Sequence, residues 1–319
     1  MSPRTLRLMP ITRPATLFGC LGLAGVGVMT GCETLRGVPA SRSTSPAFSE
    51  TARASSSVPA LRKPGKHWLR VSQYVFYSDL PLAEEDPLFR ELETLPEQIQ
   101  QELQLPPGTQ VIQVFLFDTQ EQYESFMRER YPWLPVRRAY FIADQKRPGA
   151  ADELIVYTWL GDHLRTDLRH ELTHAFLHGV LKAVPLWLDE GLAGFFEQPL
   201  DYNGVNPSHL DALRRGPFQP NLARLEKLGQ VKQMEKAEYR EAWAWVHFCL
   251  RGDLRARNAL LKYLARLREL PNPGPFLPEL HAAVGNPEQA LHEHLERTRL
   301  PSPLARGRCE HAPGLLPQP

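Results

Sequence analysis

The residues best suited to chemistry are two histidines and a glutamate, His170, Glu171 and His174, in the run HELTH. In an α-helix, residues i and i+4 lie on one face a single turn apart, so both imidazoles can bind one metal ion. Zinc is the ion typical of this spacing. Glu171 would lie beside the metal, where a carboxylate acts as general base toward water. The run therefore predicts a zinc site for hydrolysis.

A catalytic zinc ion needs a third protein ligand and a position left open for water. His178 continues the helical face of His170, but eight residues span about 12 Å along the helix axis, which is too far for both to bind. With Gly179 next to it, His178 is expected to face the negative end of the helix dipole. Glu190 is the second candidate, because a helix that starts after Pro185 can run back and present its carboxylate.

Together, HELTH and the later run WLDEGLA resemble the gluzincins, the zinc metallopeptidases that include thermolysin and the aminopeptidase N family. This resemblance implies His170, His174 and Glu190 as zinc ligands and Glu171 as the catalytic base. It also implies a zincin-like fold and a hydrolase that cleaves peptide bonds. The linker length, the PLWL run and the run YREAWAWVHF are closer to uncharacterised bacterial peptidase-MA-like proteins, over residues 67–270.

Two further roles rest on the same resemblance. Relatives carry a Tyr or His on a later helix that donates to the oxyanion, which makes Tyr239 the predicted donor and His247 the alternative. Relatives also add the substrate to the strand before the active helix, at the edge of the sheet. Substrate contacts are therefore predicted for residues of that strand: Leu154, Val156 and Thr158. Plain core packing is the alternative for all of these residues.

One position departs from the resemblance. In thermolysin and aminopeptidase N relatives, an acid four residues after the ligand Glu orients a ligand His, and loss of such a contact costs about 10- to 100-fold. Gly194 stands there in this chain, and Asp167, Asp189 or Glu197 could replace the acid. Two classes therefore stay open: a zinc peptidase, and a catalytically weak or inactive zincin-fold lipoprotein that acts as a binding or scaffold module.

The elements that must position these residues follow from the hydrophobic pattern. Short runs rich in β-branched and aromatic residues predict strands at 68–77, 111–117, 138–142 and 154–159. Helical spacing predicts helices at 86–103, 119–129, 164–178, 186–197, 207–215, 235–250, 254–270 and 287–297. Strands followed by helices favour an α+β domain with a small mixed sheet, an active-site helix and an all-helical C-terminal part.

The active helix carries a second pattern besides its histidines. Apolar residues recur every fourth position on a face turned away from them. These residues are Leu164, Leu168, Leu172 and Phe176. One side of this helix is therefore expected to pack on the sheet while the other faces a cleft.

The first 31 residues predict export. Basic residues precede an apolar run of about fifteen residues, the length of a signal-peptide core, whereas a bilayer-spanning helix needs about twenty. The run ends in MTGC, which resembles the lipobox of bacterial lipoproteins, with Cys32 as the lipid-carrying residue. An ordinary secretory signal and a short anchor helix are the alternatives. The expected location is the cell envelope, with the chain anchored to the membrane.

Composition divides the remainder of the chain. Residues 32–66 are rich in Ser, Pro, Ala and Thr and are predicted to be a disordered tether. Residues 67–300 are the predicted metallopeptidase domain, with the sheet and active helix in 67–180 and the helical part in 181–300. Residues 301–319 are a predicted disordered tail. Cys249 and Cys309 could form a disulfide or stay free.

Charge and motifs limit the partners. The chain has 37 Lys and Arg against 36 Asp and Glu, which leaves no overall field to attract a polyanion. It also lacks a P-loop and a glycine-rich dinucleotide fingerprint. Nucleic acid is therefore not an expected partner. The expected partners are a peptide or protein substrate and, through the lipid anchor, the membrane.

Overall fold

A computed structural model describes residues 62–144 and 152–301, together with the backbone of Leu6–Arg7. The predicted lipobox with Cys32 and the tail that contains Cys309 lie outside the described residues, as do most of the predicted signal peptide and tether. Cys249 is buried and forms no disulfide with another described residue. In the described part of the chain, no helix is both long enough and apolar enough to cross a membrane.

Within this described part, six strands form one mixed sheet: Leu6–Arg7 (β1), His67–Val71 (β2), Tyr74–Ser78 (β3), Ile112–Phe117 (β4), Tyr140–Asp144 (β5) and Glu153–Trp159 (β6). Their order in the sheet is β1-β5-β6-β4-β3-β2. β4 runs parallel to β3 and β6, whereas the other pairs are antiparallel. The predicted α+β class with a mixed sheet is confirmed.

The first predicted strand is in fact a hairpin. β2 and β3 pair antiparallel, from Val71 with Tyr74 outward to His67 with Ser78. The turn between them lies at Ser72 and Gln73, and Ser72 adopts a left-handed φ of 53°. The sequence VSQY carries neither Gly nor Pro, so composition alone does not reveal this turn.

The strand order corrects the prediction for the substrate strand. β6 lies inside the sheet, hydrogen-bonded to β4 on one side and to β5 on the other. Leu154, Val156 and Thr158 are consequently buried and offer no free edge to a substrate. The strand that lines the cleft described below is β5.

Side chains of β4 alternate between two buried cores, as the two-residue period of a strand requires. Ile112, Val114 and Leu116 belong to the larger core, together with helices α1 (Pro87–Leu103) and α3 (Leu164–Val180). Phe115 and Phe117 belong to the second core, which helix α2 (Gln120–Arg130) covers. α3 therefore packs on one face of the sheet and α2 on the other.

After β6 the described chain is helical. The helices that follow α3 are Leu186–Phe196 (α4), Pro207–Arg215 (α5), Leu222–Leu225 (α6), Lys236–Arg251 (α7), Leu254–Glu269 (α8), Leu277–Val284 (α9) and Pro287–Arg297 (α10). The short α6 and α9 were not predicted. The helical C-terminal part is otherwise as expected.

α4 and α7 approach each other closely at Gly191. A Cβ atom at this position would lie 2.6 Å from the carbonyl oxygen of Ala242 and 2.7 Å from Cγ2 of Val246. Only glycine permits this approach, because backbone atoms of α7 cannot move aside cheaply. Every residue of α4 is buried. The helix that carries Glu190 is thus held firmly within the protein.

Candidate metal centre

Helix α3 presents the HELTH run to a cleft. Its opposite face is buried in the larger core through the four residues that the sequence pattern singled out, Leu164, Leu168, Leu172 and Phe176. That prediction is confirmed. His170, Glu171 and His174 line a cavity of about 400 Å³ between β5, α3 and α4.

Three side chains in this cleft converge on one point. Oε2 of Glu190 lies 3.5 Å from Nε2 of His170 and 3.6 Å from Nε2 of His174. All three candidate ligand atoms lie within 4.8 Å of one another. α3 supplies both histidines from adjacent turns, and α4 runs back across them to supply the carboxylate. The structure therefore brings together the three predicted zinc ligands.

The donor set fits a metal ion. Oε2 of Glu190 is buried and has no hydrogen-bond partner among the described residues, and an unpaired buried carboxylate oxygen is unfavourable. Ligand atoms around a tetrahedral zinc ion, each about 2.0–2.1 Å from it, lie about 3.4 Å apart. The observed separations from Glu190 are close to that value. Two imidazoles and one carboxylate form a donor set typical of catalytic zinc.

Each histidine is oriented by its own carboxylate. Nδ1 of His170 lies 2.9 Å from Oε2 of Glu197, and Nδ1 of His174 lies 2.8 Å from Oδ1 of Asp189. When Nδ1 is engaged in this way, the ring turns Nε2 toward Glu190, and the carboxylate makes the imidazole a stronger ligand. Asp189 and Glu197, two of the three acids that the sequence offered in place of Gly194, thus contact the two histidines.

Asp167, the third acid considered for this task, does not contact a ligand histidine. Its Oδ1 accepts a hydrogen bond from Nη2 of Arg138 at 2.9 Å. Burial raises the pKa of Asp167 to about 6, although the positive charge of Arg138 acts in the other direction. Asp167 therefore anchors the segment before β5 to α3.

Glu197 lies beyond the end of α4 and is held there by its neighbours. Its Oε1 accepts from Nδ2 of Asn206 at 2.8 Å and from Nε2 of Gln198 at 3.2 Å. Arg169, which is buried next to the ligand His170, donates to the carbonyl oxygens of Phe196 and Gln198 at 2.8 and 3.0 Å. The peptide segment that presents Glu197 is therefore fixed from both sides. Sequence spacing carried no signal for Arg169 or Asn206.

His178 is not part of the three-residue cluster, in agreement with the distance argument. Its Nε2 lies 2.9 Å from Oδ2 of Asp189, so this carboxylate bridges His174 and His178. His178 does lie in the last turn of α3, but its contact is with a side chain of α4 rather than with the helix end. The observed polar contact of His178 is thus with Asp189 of α4.

The ionisable groups of the centre shift one another's pKa values. Burial lowers the pKa of His170, but Glu190 and Glu197 outweigh burial and raise it to about 10. Burial also opposes the charge of His174, whose pKa Asp189 and Glu190 raise well above its usual value. Conversely, burial raises the pKa of Glu190 while the two histidines lower it to about 2. Three carboxylates thus favour positive charge at the two rings.

Glu171 is placed beside the ligands by β5. Its Oε2 accepts a hydrogen bond from the backbone N–H of Phe141 at 2.6 Å. This contact fixes the carboxylate of α3 against the strand that lines the cleft. The predicted general base therefore lies in the cleft without being one of the clustered ligand atoms.

The two candidate oxyanion donors occupy different places. The hydroxyl of Tyr239, in the first turn of α7, accepts a hydrogen bond from Nη2 of Arg137, a cleft residue, at 3.0 Å. Burial and the charge of Glu190 raise the pKa of Tyr239 to about 12, so its hydroxyl keeps its proton. His247 instead contacts His294 at 2.8 Å and lines a separate cavity between α7 and α10. His247, the alternative donor, therefore lies outside the cleft, and that prediction is wrong.

No family model matches the chain, and no curated protein matches it. Among solved structures, the chain is similar to a point mutant of an M1 zinc metallopeptidase from Deinococcus radiodurans, with a TM-score of 0.36 and 15% sequence identity. The match covers 76% of this chain and 54% of that structure, so this chain spans about half the length of that chain.

Proposed function

We propose that this chain is a zinc-dependent hydrolase that cleaves peptide bonds. The observation that carries the proposal is the convergence of His170, His174 and Glu190, with Glu171 in the same cleft and a carboxylate on each ligand histidine. The chain order of these residues, HELTH before WLDEGLA, is also that of the gluzincins it resembles. Zinc, when bound, supplies a Lewis acid that polarises a carbonyl group and acidifies water.

The protein's own groups then divide the remaining work. Glu171, held by the N–H of Phe141, accepts the proton of the attacking water and delivers it to the leaving amine. Tyr239 keeps its hydroxyl proton and accepts its hydrogen bond from Arg137, so the O–H is available to a developing oxyanion. Asp189 and Glu197 keep the ligand rings in place.

The test compares Glu171→Gln with the wild-type protein on a mixed peptide pool. The change removes the proton acceptor but no ligand atom, so kcat should fall by about 10²- to 10⁴-fold. Zinc content and the melting temperature should stay the same. Tyr239→Phe, which removes one donor, should lower kcat by about 10²-fold at constant zinc content.

Glu93→Gln is the matched control, because it makes the same chemical change at an exposed position of α1. It should leave turnover unaltered. If the zinc-loaded wild-type protein cleaves no peptide in the pool, or if cleavage is indifferent to Glu171, the proposed function is wrong.

A further inference from the structure

Two positively charged side chains line the metal cleft, Arg137 before β5 and Lys232 in the one-turn helix Val231–Gln233. Among the described residues, 62–144 and 152–301, neither side chain forms an ion pair with a carboxylate. The neighbouring Arg138 is a useful contrast, because Asp167 lies 2.9 Å from it. Arg137 and Lys232 thus bring positive charge to the cleft that the described part of the protein leaves without a paired acid.

Arg137 retains most of its hydrogen-bonding capacity. A guanidinium has five N–H donors, and among the described residues one of them is used, toward the hydroxyl of Tyr239 at 3.0 Å. The remaining donors form a planar fork that matches the two oxygens of a carboxylate. Arg137 and Glu190 line the same cavity, so the guanidinium lies in the cleft that holds the metal centre.

The walls of the same cleft are apolar. Trp133 and Val231 are large hydrophobic residues that are 56% and 36% exposed, and both line the cavity. Phe141, Ile142 and Leu186 continue this surface toward the metal centre. Exposed hydrophobic residues gathered at one concave site mark a binding surface, whereas isolated ones do not. An apolar ligand group therefore fits beside the two cations.

We propose that the cleft selects peptides that carry a carboxylate next to an apolar side chain, with Arg137 binding the carboxylate and Lys232 adding positive charge. This inference rests on the proposed function, because it assumes that the occupant is a peptide. The carboxylate is either the C-terminal one or that of an Asp or Glu side chain. Both offer the same chemistry to the guanidinium.

Binding to zinc-loaded Glu171→Gln protein tests this inference without turnover. Four peptides with the same apolar residue are compared in two pairs. The first pair differs only at the C-terminus, which is a free acid or an amide. The second pair is amidated and carries an internal Glu or Gln next to the apolar residue. A hydrogen bond to a charged group contributes enough to give about 10- to 100-fold tighter binding. We expect this preference for the acid over the amide, for Glu over Gln, or for both, and titration calorimetry would identify the source.

Variants assign the preference to its residue. Adding Arg137→Gln should abolish it, Arg137→Lys should keep part of it, and zinc content should not change. Arg128→Gln, an exposed arginine of α2 that bonds within its own helix, is the matched control and should keep it in full. Equal binding of all four peptides, absence of binding, or a preference that survives Arg137→Gln overturns the inference. Glu171-dependent cleavage of neutral peptides would leave the proposed function standing at the same time.

Discussion

Two pairs of histidines are packed inside this protein, and they differ in the charge of the groups around them. His170 and His174 have ring centroids 4.8 Å apart, and His247 and His294 have centroids 5.0 Å apart. The first pair is surrounded by carboxylates, including that of Glu190, on both ring nitrogens. The second pair is joined by a hydrogen bond between the rings.

The electrostatic result differs accordingly. Carboxylates overcome burial at the first pair and raise the pKa of His170 to about 10. At the second pair, burial has the opposite effect. Burial, together with the charges of His294 and Arg251, lowers the pKa of His247 to about 3. Burial and the charge of Arg297 lower the pKa of His294 to about 4. The first pair favours a cation between its members, while the second stays neutral and packs. The acidic neighbours thus distinguish the candidate metal centre from a structural contact between histidines, whereas the histidines alone do not.

The strongest test of this contrast is removal of the third ligand. Glu190→Ala should reduce zinc from about one ion per chain to none, because two imidazoles alone leave the ion without its anionic ligand. His247→Gln should leave the zinc content unaltered. Metal analysis after exhaustive dialysis measures both.

The same measurement includes His178→Ala, which removes a contact to Asp189 but no ligand atom. This variant should still bind one zinc ion. If His178→Ala loses the metal and Glu190→Ala retains it, the ligand assignment is wrong.

A smaller effect is expected at the carboxylate that orients His170. Glu197→Gln should weaken zinc binding by about 10- to 100-fold without abolishing it, because the ligand atoms stay and only their orientation and basicity suffer. Competition with a chelating dye gives the affinity. Asp167→Asn, which changes an acid of α3 that contacts Arg138 instead of a ligand, is the control and should bind zinc with nearly wild-type affinity. Equal affinities for both variants would contradict the role of Glu197.

The smallest effect concerns pH at the second pair. Unfolded histidine has a pKa of about 6.5, so between that pH and about 4 the unfolded chain binds more protons than the folded pair does. The contribution of the pair to the free energy of unfolding is therefore fully present above pH 6.5 and is lost as the pH falls. His294→Gln should make this free energy less dependent on pH in that window.

Urea unfolding at several pH values measures the slope, with metal-free protein used throughout. His281→Gln, at an exposed position of α9, serves as the control and should keep the wild-type slope. A wild-type slope in His294→Gln would mean that the pair does not titrate as its surroundings indicate. The raised pKa of His170 has the opposite sign, since its contribution is present below pH 6.5 and is lost as the pH rises toward 10.

The sequence predicted the parts of the site that local spacing governs. The i, i+4 histidines need only a helix, and the apolar stripe at Leu164 and Leu168 correctly oriented that helix on the sheet. Glu190 followed from a helix that starts after Pro185 and can run back, and from the resemblance of the run WLDEGLA. These features depend on residues close together along the chain.

The parts that the sequence left open or missed depend on contacts between distant residues. Glu197 is one of the three acids that the sequence offered in place of Gly194, but its contact with His170, 27 residues away, depends on where the end of α4 lies. The position of β6 inside the sheet is set by its pairing with β4 and β5, and a buried strand reads the same at any place in the strand order. His247 and Tyr239 lie on the same helix, α7. The sequence did not show that His247 faces α10 and not the cleft.

The connection between α4 and α5 has a consequence for the evolution of this chain. Loops on protein surfaces usually accept insertions and deletions. This one is pinned near its start by Arg169, near its end by Asn206, and between them by Trp243, whose Nε1 donates to the carbonyl oxygen of Gly204 at 2.9 Å. Its length is thus constrained by the need to hold Glu197 against His170, and lineages that keep His170, His174 and Glu190 should keep this loop length even where its sequence drifts.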